Sequence, residues 1–272
     1  MFKLNSNGLI LVREVMPEQE KLATFINQIM RQTDFYMPVN DAHEEALYMR
    51  HIREKTQGLP AMQLDLPFHG KEMTDFLLEQ TENLVCREIT RPDPSDPEKS
   101  YLRYLERYMV AAGDRTLVYL HRFLKSDDPH LHNHPWNWAS GVVLSGSYNE
   151  YKMTDIASQE VVVEHRPEGS VGIFTNESSH RVELLQDDDG NDMSGWTLFI
   201  HHADWNYGWG FWEGDEDRTS KVYDDLSSGF KDTPLHAFVP KETHPTRKDW
   251  WHNPGISSHI DYGKNIRAKY DE

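Results

Sequence analysis

The stretch Asp127–Tyr148, DDPHLHNHPWNWASGVVLSGSY, decides the predicted fold. It places His130, His132 and His134 at every second position, and residues two apart on a β-strand point to the same face. The segment Ser140–Ser145 that follows is typical of a short buried strand. Imidazoles with this spacing, next to apolar strand residues, predict a cluster of ligands at the wall of a β-barrel.

Short segments rich in Tyr, Leu and Val alternate with turn residues from residue 101 onward. The expected strands cover residues 101–111, 116–124, 138–145, 147–153, 160–166, 170–175, 180–186 and 196–202. Many short strands separated by turns are typical of an antiparallel sandwich or barrel. We therefore expect a mainly β fold, with a β-barrel domain over residues 99–214.

The first hundred residues show a helical pattern instead. Apolar residues three and four apart predict amphipathic helices over residues 18–31 and 71–90, and an acidic first turn favours another helix over residues 42–55. These segments predict a mostly helical N-terminal extension over residues 1–98.

Two segments mark the borders of the predicted barrel. The run RPDPSDPEKS, residues 91–100, contains three prolines and is typical of a linker. Beyond residue 214 the strand pattern weakens into a charged tail, so residues 215–272 are expected to form an irregular C-terminal arm.

The histidine stretch resembles the first motif of the cupin family. That motif is HxH, then usually a glutamate about four residues later, then an apolar strand that ends in glycine. Here HxH is His132-Asn133-His134 and the glycine is Gly146. The usual glutamate ligand falls at Ala139, which cannot bind a metal.

The segment RPEGSVGIFTNESSHRVEL, residues 166–184, resembles the second cupin motif, with His180 as its lone histidine. The resemblance covers roughly residues 100–212 and implies a jelly-roll barrel, the double-stranded β-helix. With Ala139 at the glutamate position, it implies three metal ligands, His132, His134 and His180. This set is similar to that of thiol-dioxygenase-like and other three-His cupins, and the chain also looks like uncharacterised single-domain cupins of phage and bacteria.

Three neutral imidazoles bind a divalent first-row metal and leave coordination positions open. They also leave the +2 charge of the metal uncompensated, which favours an anionic substrate such as a thiol, an amino acid or a carboxylate. With Fe(II), the resemblance implies a mononuclear non-haem oxygenase that uses O₂. Zn(II), Ni(II) and Mn(II) are alternatives, and zinc would require a redox-neutral reaction, such as that of an isomerase or hydrolase. A non-catalytic cupin that binds a small ligand is a third hypothesis.

Two arginines are candidates for substrate binding. Arg122 and Arg181 each follow a histidine on a predicted strand, and an arginine in a barrel can bind a carboxylate with two hydrogen bonds. The alternative is a structural ion pair with a glutamate such as Glu150 or Glu183.

Four further residues are candidates for the site. Tyr148 and Glu150 follow the glycine on one strand face and are candidates for an acid and a base, with packing as the alternative. His130 is expected at the barrel mouth, as a substrate-contacting group or a replacement ligand. Trp209 lies in an aromatic, glycine-rich segment that we expect to form either a pocket wall or a plug at one barrel end.

A rival metal site is also present in the sequence. The HxD pattern His202-Ala203-Asp204, with the distal His259 and Arg267, resembles the 2-His-1-carboxylate set of 2-oxoglutarate oxygenases. Substitution of His132 by alanine would remove the metal from the cupin site and spare this one.

The composition limits the partners. Asp and Glu number 45 against 28 Lys and Arg, a net charge of −17, which argues against nucleic-acid binding through a basic face. The sequence shows no apolar run long enough for a membrane span and no signal peptide, and its single cysteine, Cys86, fits a reducing compartment. We therefore expect a cytoplasmic protein, and the cupin resemblance implies a homodimer.

Overall fold

A computed structural model describes residues 1–5, 8–33, 47, 50, 62–92, 101–113, 116–127, 129–175, 177–202, 210–213 and 237–240. Two α-helices have both ends in these ranges, α1 (Glu20–Thr33) and α2 (Gly70–Thr81), and short 3₁₀ turns at Val12–Glu14 and Pro17–Gln19 precede them. Leu47 and Arg50 are also helical. The strands are β1 (Phe2–Lys3), β2 (Met62–Gln63), β3 (Cys86–Pro92), β4 (Tyr101–Ala112), β5 (Thr116–Phe123), β6 (Trp138–Ser145), β7 (Tyr148–Asp155), β8 (Glu160–Arg166), β9 (Ser170–Thr175), β10 (Ser179–Leu184), β11 (Gly195–His202), β12 (Gly210–Glu213) and β13 (Ala237–Pro240).

The described strands form two facing sheets and a separate two-stranded sheet of β12 and β13. The larger has the order β1-β4-β5-β11-β6-β9-β2, with β3 paired to β4, and the smaller has the order β10-β7-β8. Single bridges from His132 to His180 and to Phe211 extend the smaller sheet towards β12. With the bridge at His132 counted as a strand, β5-β11-β6-β9 face His132-β10-β7-β8, which is the eight-stranded jelly roll. The predicted mainly β, double-stranded β-helix fold is confirmed.

Strand β6 shows why a continuous apolar run in the sequence predicts a central strand of this fold. All eight of its residues are buried, and it lies between β11 and β9 near the centre of the larger sheet. A strand covered on both faces has an unbroken apolar run instead of an alternating one. One face of the larger sheet lines the barrel, and the other packs against the helices.

The two helices cover that outer face. Buried residues Ile26 of α1 and Leu77 of α2 belong to one apolar core with Leu120 and Leu198 of the sheet. The prediction of a helix near residues 18–31 is therefore confirmed. The N-terminal residues also contribute three strands, β1, β2 and β3, to the larger sheet.

The predicted helix over residues 71–90 is wrong at its C-terminal end. Helix α2 ends at Thr81, and Cys86–Pro92 form strand β3, which pairs antiparallel with β4. Cys86 is buried at the start of this strand rather than within a helix. The β-branched Ile89 and Thr90 suit a strand, and β4 supplies the hydrogen-bonding partner, a tertiary interaction that local apolar spacing does not reveal.

Most of the predicted helix over residues 42–55, residues 93–100 of the predicted linker and all of the C-terminal arm except β13 lie outside the described residues. Within the described part of the chain, no helix is both long and apolar enough to cross a membrane.

Candidate metal centre

The three histidines predicted as ligands meet in the structure. Each of His132, His134 and His180 offers one ring nitrogen, and these nitrogens lie within 4.8 Å of one another. The Nε2 atoms of His134 and His180 are 2.9 Å apart. Among the described residues, this is the cluster whose donor atoms could hold a metal ion.

The backbone brings the two motifs together. His132 and His180 exchange two N–H···O hydrogen bonds of 2.9 Å, so the first motif pairs directly with β10. The expectation that His130, His132 and His134 share one regular strand is wrong, because only His132 forms a bridge and the segment around it is irregular. The histidines converge through this cross-strand pairing.

Glu150 and Arg166 hold His180 from behind. The Nδ1 atom of His180 lies 2.8 Å from Oε1 of Glu150, and Oε2 of Glu150 accepts hydrogen bonds of 2.8 Å from Arg166. All three side chains are buried. Burial alone would raise the pKa of Glu150, but the hydrogen bond from His180 and the charge of the nearby Arg166 outweigh it and lower that pKa to about 2. Both carboxylate oxygens are therefore engaged, and Glu150 orients the imidazole instead of facing the cavity as a base.

The donor set fits a divalent metal. An Nδ1–H bonded to a carboxylate leaves the Nε2 lone pair of His180 free to bind an ion. The Nε2 atoms of His134 and His180, 2.9 Å apart, are close enough to bind one ion. Burial, followed by the neighbouring His132 and His180, lowers the pKa of His134 well below its ordinary value, which keeps this imidazole neutral.

A cavity of about 210 Å³ opens next to the three histidines. Its apolar wall includes Ile89, Leu105, Phe123, Trp136, Phe174 and Phe199. Its polar residues besides the three histidines include Arg87, Arg107, His121, Asp127, Tyr148 and Thr197. A small, mostly apolar cavity with a few polar groups is typical of a site for a small molecule.

Four of the polar residues form a row across the larger sheet. Arg87 pairs with Arg107, Arg107 with His121, and His121 with Thr197, on β3, β4, β5 and β11. Residues directly opposite on neighbouring strands share a face, which explains why all four reach the cavity. Arg87, Arg107 and His121 were not predicted from the sequence. The alternation of residues along β5 indicates that His121 or Arg122 faces the cavity, but not which one.

The two arginines predicted to bind substrate are not among the residues that line the cavity. Arg122 follows His121 and so faces the opposite side of β5, where its Nη1 lies 3.5 Å from Glu106. Arg181 is paired with Glu183 at 2.6 Å and lies over the ring of Tyr151 at 4.0 Å. Both side chains form ion pairs with glutamates, so neither Arg122 nor Arg181 is positioned to contact a substrate in this cavity.

The other candidates have different positions. Tyr148 lines the cavity, and burial, followed by the charge of Glu150, raises the pKa of its hydroxyl, so it stays protonated. His130 is half-buried and outside the three-histidine group. Trp209 lies outside the described residues, and so do Asp204, His259 and Arg267 of the rival site.

Stacked rings support the side chain of His134. Trp136 lies 4.8 Å from its ring and 4.0 Å from the ring of His201, which in turn stacks on Tyr119 at 5.5 Å. Burial lowers the pKa of His201 to about 3, although its hydrogen bond to the carbonyl of His202 opposes that change. The stack limits rotation of the His134 ring and so keeps this ring directed at His132 and His180.

No protein-family model matches the chain, and no curated protein matches it. Solved structures do. An uncharacterised conserved protein with a double-stranded β-helix domain from Klebsiella pneumoniae is 15% identical, with 41% of this chain and 86% of that chain covered and a TM-score of 0.30. A cupin-2 domain from Rhodospirillum rubrum is 12% identical, with 52% and 84% covered and a TM-score of 0.35.

A recombinant oxalate oxidase in complex with glycolate is 13% identical, with 35% of this chain and 45% of that chain covered and a TM-score of 0.28. The match thus spans less than half of that enzyme. At these identities and TM-scores, the similarities do not show which activity, if any, this chain has. The strand order shows a double-stranded β-helix barrel, and the position of the three histidines shows a group that could bind a metal ion.

Proposed function

We propose that the chain is a mononuclear non-haem Fe(II) oxygenase that acts on a small polar, anionic molecule and O₂. The observation that carries this proposal is the convergence of His132, His134 and His180 on one point beside a cavity, with His180 fixed by a buried carboxylate. A metal held by three neutral ligands supplies open coordination positions and an uncompensated positive charge. An anionic substrate would offset that charge.

The residues around the histidines support this function in distinct ways. Glu150 holds His180 in one tautomer, and the stack on Trp136 holds His134. The hydroxyl of Tyr148 stays protonated at neutral pH and can donate a hydrogen bond in the cavity. The apolar walls formed by Phe174 and Phe199 reduce the access of water to the reacting groups.

Elemental analysis of protein purified without a metal-chelating tag tests the metal site. Wild type is compared with His134→Ala, and His130→Ala serves as the matched control because it removes a nearby histidine outside the cluster. We expect near-stoichiometric iron in wild type and in His130→Ala, and loss of the metal in His134→Ala. No metal in wild type, even after anaerobic reconstitution with Fe(II), would overturn the proposal.

Oxygen consumption tests the reaction once the metal is established. A panel of thiols, amino acids and small carboxylates is added to the iron-loaded protein, and His134→Ala is the negative control. Substrate-dependent uptake of O₂ supports an oxygenase. Stoichiometric zinc that resists exchange for iron would contradict the oxygenase and favour the redox-neutral alternative.

A further inference from the structure

Arg107 differs from four other arginines of the barrel in its partners. Arginines that form ion pairs with glutamates are Arg103 with Glu88 and Glu106, Arg122 with Glu106, Arg166 with Glu150 and Glu164, and Arg181 with Glu183. Among the described residues, Arg107 has no carboxylate partner. Its Nε donates a hydrogen bond of 3.1 Å to Nε2 of His121, and its guanidinium lies 5.4 Å from the centre of the Tyr119 ring.

The charge of Arg107 is unfavourable in the absence of a ligand. Its side chain is half-buried in the cavity wall, and burial lowers the pKa of its guanidinium, with Arg87 on the adjacent strand acting in the same direction. A guanidinium that is partly removed from water and has no anion beside it loses part of its hydration without a counterion to offset the loss. An anion in the cavity would supply the missing interaction.

The geometry also restricts the kind of anion. The Nε of Arg107 is engaged by its hydrogen bond to His121. Its two terminal amino groups have no hydrogen-bond partner among the described residues. Two adjacent N–H groups on a planar guanidinium match the two oxygens of a carboxylate. The buried Nε1–H of Trp136, in the wall of the same cavity, also lacks a hydrogen-bond acceptor within the described part of the chain.

We propose that Arg107 binds the carboxylate of the substrate, and that the cavity takes small carboxylic acids whose remaining atoms are apolar or planar. The walls formed by Phe123, Phe174 and Phe199 would contact that remainder. This proposal rests on the proposed function for the reaction that the bound acid undergoes, but binding through Arg107 does not require the metal.

Binding is measured with three probe carboxylates of increasing size, acetate, pyruvate and benzoate, each compared with its neutral amide. Affinity is obtained by calorimetric titration of the full chain, and the rise in Tm with added probe gives a second readout. Both are repeated in His134→Ala, where a metal at the cluster cannot contribute. We expect at least one acid to bind more tightly than its amide in both proteins.

Arg107→Gln is expected to weaken binding of that acid by about 10- to 100-fold and to leave the amide unaffected, because a hydrogen-bonded charge is lost. Arg107→Lys keeps the charge without the planar pair of donors and is expected to restore only part of the affinity. Arg13→Gln, an exposed arginine in the first 3₁₀ turn, controls for the loss of one positive charge.

A structural role of Arg107 gives a different result. Removal of an uncompensated charge should leave Tm unchanged or raise it when no probe is present, whereas a structural arginine would lower it. The proposal is overturned if no acid binds better than its amide, or if Arg107→Gln binds the acid as wild type does. Loss of acid binding in Arg107→Gln together with a metal-free wild type would retain this subsite and reject the oxygenase.

Discussion

The carboxylate of Glu150 and the imidazole of His180 form a buried pair, with Oε1 2.8 Å from Nδ1. The opposite ring nitrogen of His180, Nε2, lies 2.9 Å from the corresponding atom of His134. One ring is thus held at both ends, by a carboxylate behind and by a second histidine in front. The tautomer of His180 is therefore set by Glu150, which does not line the cavity, and its direction is set by Glu150 together with His134.

Glu150→Gln tests the first of these contacts. The substitution keeps the size of the side chain and removes its charge, so we expect metal affinity to fall by about 10- to 100-fold. It also leaves the buried Arg166 with only Glu164 as a counterion, which should reduce the free energy of unfolding by about 3 kcal/mol. Competition with a metal chelator measures the affinity, and denaturant unfolding measures the stability.

Glu164→Gln is the matched control for this effect. Glu164 also contacts Arg166, at 2.9 Å, but it is 44% exposed and does not contact His180. We expect its metal affinity to equal that of wild type and its stability to change by less than about 1 kcal/mol. Equal loss of metal in the two variants would mean that the charge of Arg166, and not the orientation of His180, determines affinity.

The buried His201 predicts a dependence of stability on pH. Its pKa is about 3 in the folded protein and ordinarily 6.5, so only the unfolded chain takes up this proton as the pH falls below 6.5. The stability contributed by neutral His201 is therefore complete above pH 6.5 and is lost as the pH falls towards 3. One such proton gives a slope of at most about 1.4 kcal/mol per pH unit.

His201→Phe keeps a ring between Trp136 and Tyr119 and cannot titrate. We expect the variant to lose a little stability at pH 7, because its hydrogen bond to the His202 carbonyl is gone, and to show a shallower decline between pH 6.5 and 4.5. Denaturant unfolding across that range gives both values. A decline in His201→Phe as steep as that of wild type would contradict this origin of the pH dependence.

Gly169 and Gly190 have nearly the same backbone conformation in different surroundings, with φ of 83° and 81°. A Cβ at Gly190 would meet nothing within 4 Å, so Gly190→Ala should cost about 1–2 kcal/mol for its φ alone. A Cβ at Gly169 would collide with the carbonyl of Leu64, and Gly169→Ala should cost a further 1–3 kcal/mol or so. Thermal unfolding of both variants tests this, and equal Tm values would contradict the close approach of β2 to β9.

Local patterns were sufficient to predict the barrel strands and the three clustered histidines. The strand predicted over residues 138–145 has the observed bounds of β6, because both of its faces are buried and its apolar run is continuous. The histidines followed from two motifs whose spacing reflects a pairing between His132 and His180. Each of these predictions depends on residues close together in the sequence or on a resemblance that already includes the pairing.

Cross-strand neighbours could not be predicted in the same way. The row from Arg87 to Thr197 depends on the order β3-β4-β5-β11 and on its register, which involve residues more than a hundred positions apart. On β5, His121 and Arg122 are adjacent, so one must face the cavity and the other the helices. No local pattern decides which of the two faces the cavity, and the prediction that Arg122 contacts the substrate is wrong.

Arg122→Gln tests that correction. Glu106, which is fully buried, contacts Arg122 at 3.5 Å and would keep Arg103 and the hydroxyl of Tyr108 as partners. We expect the variant to lose about 1–3 kcal/mol of stability, because a buried carboxylate loses one cation. The rise in Tm with probe carboxylates should match that of wild type, the reverse of the result expected for Arg107→Gln. Loss of the carboxylate response in Arg122→Gln, with little change in stability, would instead return the role in substrate binding to Arg122.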